Sequence, residues 1–181
     1  MPIIAKNSGT DFTPAPEGLW PAVCIDVVDK GMVASKNPAY PPRHMIQIRW
    51  VLDAEPALES GLPHMAVRSF GLSLGEKSHL RPFLEAWRGK KFTDQELAGF
   101  DVEKLIGANC QLQIIHNLYQ GKTYGNVQSV VSLGRGMTKM AVPKDYVREC
   151  NRPGYQAPDQ PEEPVEEEID YGAIDDSDIP F

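Results

Sequence analysis

Cations and tyrosines concentrate in two segments of the chain that are otherwise rich in turn-forming residues. A cation neutralises a phosphate group, and an aromatic ring offers a face on which a nucleotide base can stack. Together they are typical of surfaces that hold an unpaired polynucleotide, although solvated turns also carry lysine and tyrosine for no such reason. The candidates are Lys30, Lys36, Tyr40 and Arg43 in or beside residues 31–42, and Tyr119, Lys122 and Tyr124 in residues 117–124.

Four more candidates lie outside these two segments. Arg49 lies on the more polar face of a strand, opposite the face of Trp50, and is the strongest of the cations. Arg68 is also in mid-strand, and Phe70 shares its face and could stack on a base. Lys77 follows that strand. A mid-strand arginine is explained equally well as a residue of a solvated sheet face.

Residue types that could support catalysis, nucleotide binding or metal binding do not occur at the spacing that those functions require. Gly121-Lys122-Thr123 imitates the end of a phosphate-binding loop, but His116 stands where that loop requires glycine. The three cysteines are odd in number and far apart, which excludes a disulfide scaffold and suits a reducing cytosol. We therefore predict no catalytic residue, no metal and no cofactor, although sequence order alone does not test for a catalytic triad.

The net charge of -7 hides a division between two parts of the chain. Residues 1–152 hold all 18 Lys and Arg and 15 of the 25 Asp and Glu, so their charge is 18 − 15 = +3. Residues 153–181 hold the other 10 acids and no Lys or Arg, so their charge is −10. This asymmetry predicts that the body meets a polyanion or that the tail is an interaction arm.

The acidic tail is rich in proline and glutamate, and it cannot bury enough apolar surface to offset the entropy of ordering. A solubilising role would explain that composition but not an apolar C-terminal end. Phe181 could enter an apolar pocket while its carboxylate pairs with a cation, and the preceding aspartates would add electrostatic attraction. The candidate partner-binding residues are Asp175, Asp176, Asp178, Ile179, Pro180 and Phe181.

All these candidates depend on the elements that position them. Alternation and β-branched content predict strands at residues 19–28, 45–52, 64–74, 110–116 and 126–131. An amphipathic helix is predicted by the i, i+3, i+4, i+7 spacing of Leu80, Phe83, Leu84 and Trp87. Gly89 should end this helix, and a capping box at residues 93–96 predicts a second, shorter one.

Three strands, a helical insert and two strands follow the order of an oligonucleotide-binding (OB) barrel. We therefore predict a mainly β protein, a five-stranded OB-fold barrel with a helical insert between strands 3 and 4. In that fold the ligand lies on the face of strands 2 and 3, between two loops that here would be residues 30–43 and 117–124. The predicted organisation is a flexible arm at 1–17, the OB-fold domain at 18–150 and a disordered acidic tail at 151–181.

Residues 175–181 resemble the C-terminal tip of bacterial single-stranded DNA-binding proteins, an acidic run that ends in Ile-Pro-Phe, although Ser177 interrupts the acids. In that family the tip recruits replication, recombination and repair proteins. Residues 73–81 and 116–127 resemble segments of phage-type single-stranded DNA-binding proteins. The resemblance implies a non-catalytic body that binds single-stranded DNA without sequence specificity, in the cytoplasm of a bacterium or of a phage-infected host.

An adaptor is the alternative that the residues leave open. In that case the barrel binds protein rather than DNA, and the tip diverts host replication or repair factors. The tip fits both functions, so only the body distinguishes them. No apolar run is long enough for a membrane span, and the sequence leaves open whether copies of the chain associate.

Overall fold

The computed structural model describes residues 13–158, and the elements within them follow the predicted order. The described part is mainly β, as predicted. Its strands are β1 (Gly18–Val33), β2 (Arg43–Leu52), β3 (His64–Gly71), β4 (Asn109–Tyr119) and β5 (Lys122–Ser132). Its helices are α1 (Leu80–Arg88), α2 (Asp94–Ala98) and two 3-10 turns, Val102–Leu105 and Glu149–Asn151. Within residues 13–158, no helix has the length and apolar character needed to cross a bilayer.

The strands form one antiparallel sheet in the order β3-β2-β1-β4-β5. β1 is shared between two neighbours, because residues 18–23 pair with β4 and residues 22–33 pair with β2. Two β-bulges, at Ile25 and Lys30, interrupt the pairing with β2 and increase the local twist of β1. Gly71, the last residue of β3, pairs regularly with Met45.

The two outer strands of the sheet, β3 and β5, meet through a side chain. The guanidinium of Arg68 donates hydrogen bonds from Nη1 to the backbone carbonyls of Val127, at 3.0 Å, and Gln128, at 3.1 Å. The backbone ladder of the described sheet ends at β3 on one side and at β5 on the other. Arg68 therefore supplies a polar link where the ladder stops.

An aromatic cluster fills the space between α1 and the inner face of the sheet. Trp50 of β2 is fully buried, with its ring centroid 6.0 Å from that of Phe83 and 5.8 Å from that of Trp87. Phe70 of β3 packs 4.8 Å from Phe83. Burial of each large apolar side chain contributes about 1.5–3 kcal/mol. The predicted amphipathic face of α1 is thus the face that the core uses, and it comprises Leu80, Phe83, Leu84 and Trp87.

Both helices begin or end at local sequence signals. α1 ends at Gly89, whose φ of 67° is the left-handed conformation that glycine adopts without strain. α2 begins with a capping box, in which the Thr93 hydroxyl accepts from the Glu96 N–H and the Glu96 carboxylate accepts from the Thr93 N–H. Both predictions are confirmed. Pro82 is the third residue of α1, where its missing N–H removes no helical hydrogen bond.

Residues before the predicted domain and residues at its C-terminal end pack against the sheet. Ala15 is buried against Gly125, where a Cβ atom would lie 2.9 Å from the Ala15 carbonyl oxygen, so this close approach requires glycine. Trp20 donates from Nε1 to the Pro16 carbonyl at 2.9 Å. At the other end, residues 140–152 lie across β1 and β2, and we call them the strap. The packed unit therefore includes residues 13–17 as well as the predicted domain.

Candidate nucleic-acid interface

The β4–β5 hairpin presents the predicted lysine and tyrosines on one face. Asn117 pairs with Tyr124, and Tyr119 pairs with Lys122. Residues directly opposite each other in an antiparallel pair, and residues two apart along a strand, point to the same side. These four residues therefore form one surface, which we call the hairpin face.

The hairpin face is open to solvent. Tyr119 is 65% exposed, Tyr124 is 39% exposed, and Lys122 is exposed as well. The turn residues Gln120 and Gly121 have φ values of 49° and 75°, as in the type I′ turns that match the natural twist of a hairpin. A tight two-residue turn thus holds two aromatic rings and a cation in a defined arrangement.

The loop between β1 and β2 carries a second exposed set. Tyr40 is 54% exposed, and the guanidinium carbon of Arg43 lies 5.7 Å from its ring centroid in a cation–π contact. Lys36 is exposed in the same loop. At the base of the loop, His44 Nε2 lies 2.7 Å from Asp29 Oδ1. The structure therefore keeps Lys36 and Tyr40 of this loop accessible, together with Arg43 at the start of β2.

The outer face of β1 and β2 is covered by the strap. Beneath the strap lies Asp26, which is 1% exposed. Its carboxylate accepts hydrogen bonds from Tyr146 Oη at 3.0 Å, Arg148 Nε at 3.2 Å and the Glu149 N–H at 2.8 Å. Three donors satisfy a carboxylate that would otherwise be costly to bury. Apolar contacts around Asp26 join Val23, Ile25 and Val51 to Met140, Val142 and Tyr146.

A β-bulge explains how Asp26 reaches the strap. Ile25 and Asp26 are consecutive, yet both contact strap residues, because the extra residue at Ile25 breaks the alternation of β1. Arg148, which donates to Asp26, also pairs with Glu103. The hydrogen bond to Glu103, together with the one to Asp26, raises the pKa of Arg148. The strap is thus fixed by charged groups as well as by apolar packing.

Glu149 of the strap neutralises two of the predicted cations. Its Oε1 lies 3.0 Å from Lys30 Nζ, and its Oε2 accepts from the Arg49 guanidinium. The contact with Lys30, followed by that with Arg49, lowers the pKa of Glu149. Burial acts to lower the pKa of Arg49, but its contacts with Tyr146 and Glu149 outweigh burial and raise it. Arg49, the strongest cation predicted from the sequence, is therefore engaged inside the protein.

Arg68 and Phe70 share a strand face, as predicted, but it is the inner face. Phe70 is 2% exposed and packs on Phe83, so it has no ring face to offer to a base. The Arg68 guanidinium carbon lies 5.0 Å from the centroids of both rings and bonds to β5, and burial lowers the pKa of Arg68. The site roles predicted for these two residues are therefore corrected to core packing and to the contact between β3 and β5. Arg68 is opposite Ile48, which is fully buried.

The remaining candidates are placed as follows. Lys77 is exposed in the turn before α1. The predicted partner-binding residues 175–181 lie outside the described residues. Sequence reasoning missed Asn117 on the hairpin face and the polar residues that anchor the strap. One signal for the strap was available, since Asp26 is a lone charge inside the apolar run of β1. The missed strap contacts are Asp26, Tyr146, Arg148 and Glu149.

Two concave surfaces of the described chain differ in charge. A groove of about 1070 Å³ is mainly apolar, and its charged lining residues are Glu59 and Asp145, which would repel a polyanion. An open pocket of about 430 Å³ beside the strap is lined by Lys30 and Arg152 as well as by acids. The pocket therefore suits an anion better than the groove does. Among residues 13–158, no group of three or more His, Cys, Asp or Glu could hold a metal ion.

No family model matches the chain, and no curated protein matches it. The features that bear on function are therefore the hairpin face, the β1–β2 loop with Tyr40, the strap and the resemblance of the C-terminal tip.

Proposed function

We propose that the chain is a non-catalytic protein that binds and protects single-stranded DNA without reading its sequence. The hairpin face carries this proposal, because two exposed tyrosines and a lysine on one tight hairpin can stack bases and pair with a phosphate. Stacking on an aromatic side chain contributes roughly 1–3 kcal/mol per base and is available to every base. Residues 13–158 have a charge of 17 − 14 = +3, which adds a general attraction to DNA.

We infer that β3 and β5 close the sheet into an OB-fold barrel. The strand order, the position of α1 between β3 and β4, and the hydrogen bonds from Arg68 to β5 support this inference. In an OB fold the loops after the first and fourth strands flank the ligand. These connections hold Tyr40 and the hairpin face, so the exposed rings lie on elements that the fold would use for binding.

The C-terminal residues 175–181 give the protein a second role in this proposal. Their resemblance to the tip of bacterial single-stranded DNA-binding proteins supports recruitment of replication, recombination and repair proteins to the coated strand. Such a protein would work in the cytoplasm of a bacterium or of a phage-infected host, and it would need no cofactor.

Fluorescence anisotropy with labelled oligo-dT tests the proposal. Trp50 and Trp87 are buried, so a label on the DNA reports binding better than tryptophan emission. We expect oligo-dT of about 30 nucleotides to bind roughly tenfold more tightly than duplex of the same length, with a log–log salt slope of about −0.7 per phosphate contact. No binding at about 50 mM salt would contradict the proposal and favour the adaptor.

A further inference from the structure

The carboxylate of Glu149 lies where the protein concentrates positive charge on the outer side of β1 and β2. It pairs with Lys30 and Arg49 at the same time, one cation for each oxygen. The side chains of Lys30 and Glu149 are 35% and 26% exposed, so solvent and a ligand can reach this pair from the rim. Glu149 thus occupies the position that an external anion would take.

The strap holds the backbone of Glu149 in place independently of its carboxylate. The Glu149 N–H donates to buried Asp26, and Tyr146 and Arg148 bind the same aspartate. Rotation of the Glu149 side chain away from the two cations would leave all three of these hydrogen bonds intact. An incoming anion could therefore replace the carboxylate without displacing the strap.

The adjoining pocket has the size and lining for one nucleotide. Its volume is about 430 Å³, and Arg152 joins Lys30 among its cations. Arg152 donates from Nε to the Val147 carbonyl at 3.1 Å, which fixes its guanidinium at the pocket. Tyr155 and Gln156 also line the pocket and supply a ring for stacking and an amide for hydrogen bonding.

We propose that Lys30, Arg49 and Arg152 form a phosphate subsite for the bound strand, and that Glu149 fills this subsite when no DNA is present. The inference rests on the proposed function and adds to it a phosphate-binding position whose occupancy Glu149 controls. Lys30 and Arg152 line the pocket with the acids Asp29 and Glu149, and Arg49 pairs with Glu149, so these five side chains have a summed charge of 3 − 2 = +1. A phosphodiester carries one negative charge, as the carboxylate does, and exchanges with it.

The variant E149Q tests this exchange in the full-length chain, with labelled oligo-dT as the probe. We expect binding to tighten about threefold to tenfold and the salt slope to steepen by about 0.7, because one more phosphate contact forms without competition. E103Q is the matched control, since it removes the same charge from a partner of the strap residue Arg148 that does not line the pocket. E103Q should bind within about twofold of wild type.

The reciprocal variant R152Q keeps the inference testable if E149Q does not fold. R152Q should weaken oligo-dT binding about threefold and flatten the salt slope by about 0.7. The subsite is ruled out by a folded E149Q protein whose affinity for oligo-dT equals that of wild type. An increase in affinity no larger than that of E103Q also rules it out. Unchanged oligo-dT binding by R152Q would likewise contradict the subsite. Failure of the proposed function would appear differently, as absence of oligo-dT binding by the wild-type chain.

Discussion

The β4–β5 hairpin and the outer face of β1 and β2 contain similar residue types in different states. On the hairpin, Tyr119, Lys122 and Tyr124 are exposed. On β1 and β2, Lys30 and Arg49 are bound to Glu149 beneath or beside the strap. The availability of a cation to a ligand therefore depends on what packs over its side chain, which a count of residue types does not reveal.

The two regions should also fail in different ways when they are changed. Side chains of the hairpin face project beyond the core, so their removal should affect binding and leave stability unchanged. The strap contains buried charges whose partners are fixed, so its disruption should affect stability first. Variants that separate these two effects test the comparison directly.

The largest effect is expected at Asp26. The variant D26N should lower the free energy of unfolding by about 3 kcal/mol, because it leaves the charge of Arg148 and two other donors without their buried carboxylate. Urea denaturation measures this loss. D53N makes the same chemical change at an exposed position and should have little effect. Equal stability of the two variants would show that Asp26 does not anchor the strap.

The second-largest effect is expected when both aromatic rings of the hairpin face are removed. Y119A/Y124A should weaken oligo-dT binding about a hundredfold, since each stacked base contributes roughly 1–3 kcal/mol. The thermal midpoint should stay near that of wild type. L118A is the control, because Leu118 is 76% exposed on the opposite face of the same hairpin. Similar affinities for L118A and the double variant would remove the special role of the tyrosines.

A variant of Arg68 distinguishes the two roles considered for a mid-strand arginine, a structural contact and DNA binding. R68A should lower the free energy of unfolding by about 2 kcal/mol, because the carbonyls of Val127 and Gln128 lose their donor. R43A, at the exposed first residue of β2, should leave stability unchanged. If R68A instead kept wild-type stability and bound DNA poorly, Arg68 would return to the binding surface.

The smallest effect is the pH dependence that Glu149 adds to stability. Lys30 and Arg49 hold the pKa of Glu149 below its ordinary value of 4.5, so the folded state binds its proton less readily than the unfolded state does. The stabilisation is therefore present above about pH 4.5 and is lost as the pH falls through the lowered pKa. Since the pair is partly exposed, the difference between wild type and E149Q should stay below about 1 kcal/mol at pH 7. Denaturant titrations at pH 7 and pH 3 measure it, and a difference that grows at pH 3 would contradict this sign.

Local signals predicted much of the fold. The i, i+3, i+4, i+7 spacing of α1 and the capping box at Thr93 each act within a few residues, needed no information from distant parts of the chain, and appear in the structure. The hairpin itself is longer than predicted. Residues 117–119 and 122–124, which were expected in a loop, continue β4 and β5 on either side of a two-residue turn.

Other features could not be predicted from the sequence because they depend on contacts between distant parts of the chain. Alternation placed Arg68 with Phe70, but only the packing of α1 decides that their shared face is the inner one. The bulge at Ile25 moves Asp26 to the outer side, where residues more than a hundred positions later bind it. Glu149 and Arg49 are likewise 100 residues apart. No local sequence pattern therefore indicated that Arg49, the strongest predicted cation, pairs with an acid of the same chain.

Photo-crosslinking identifies the residues that contact the bound single strand. An oligo-dT carrying 5-iododeoxyuridine, bound to the wild-type chain and irradiated, forms covalent adducts with aromatic rings stacked on its bases. We expect mass spectrometry to place adducts on Tyr119 or Tyr124. Bound DNA whose adducts all lie outside residues 117–124 would contradict the claim that the β4–β5 hairpin holds the single strand.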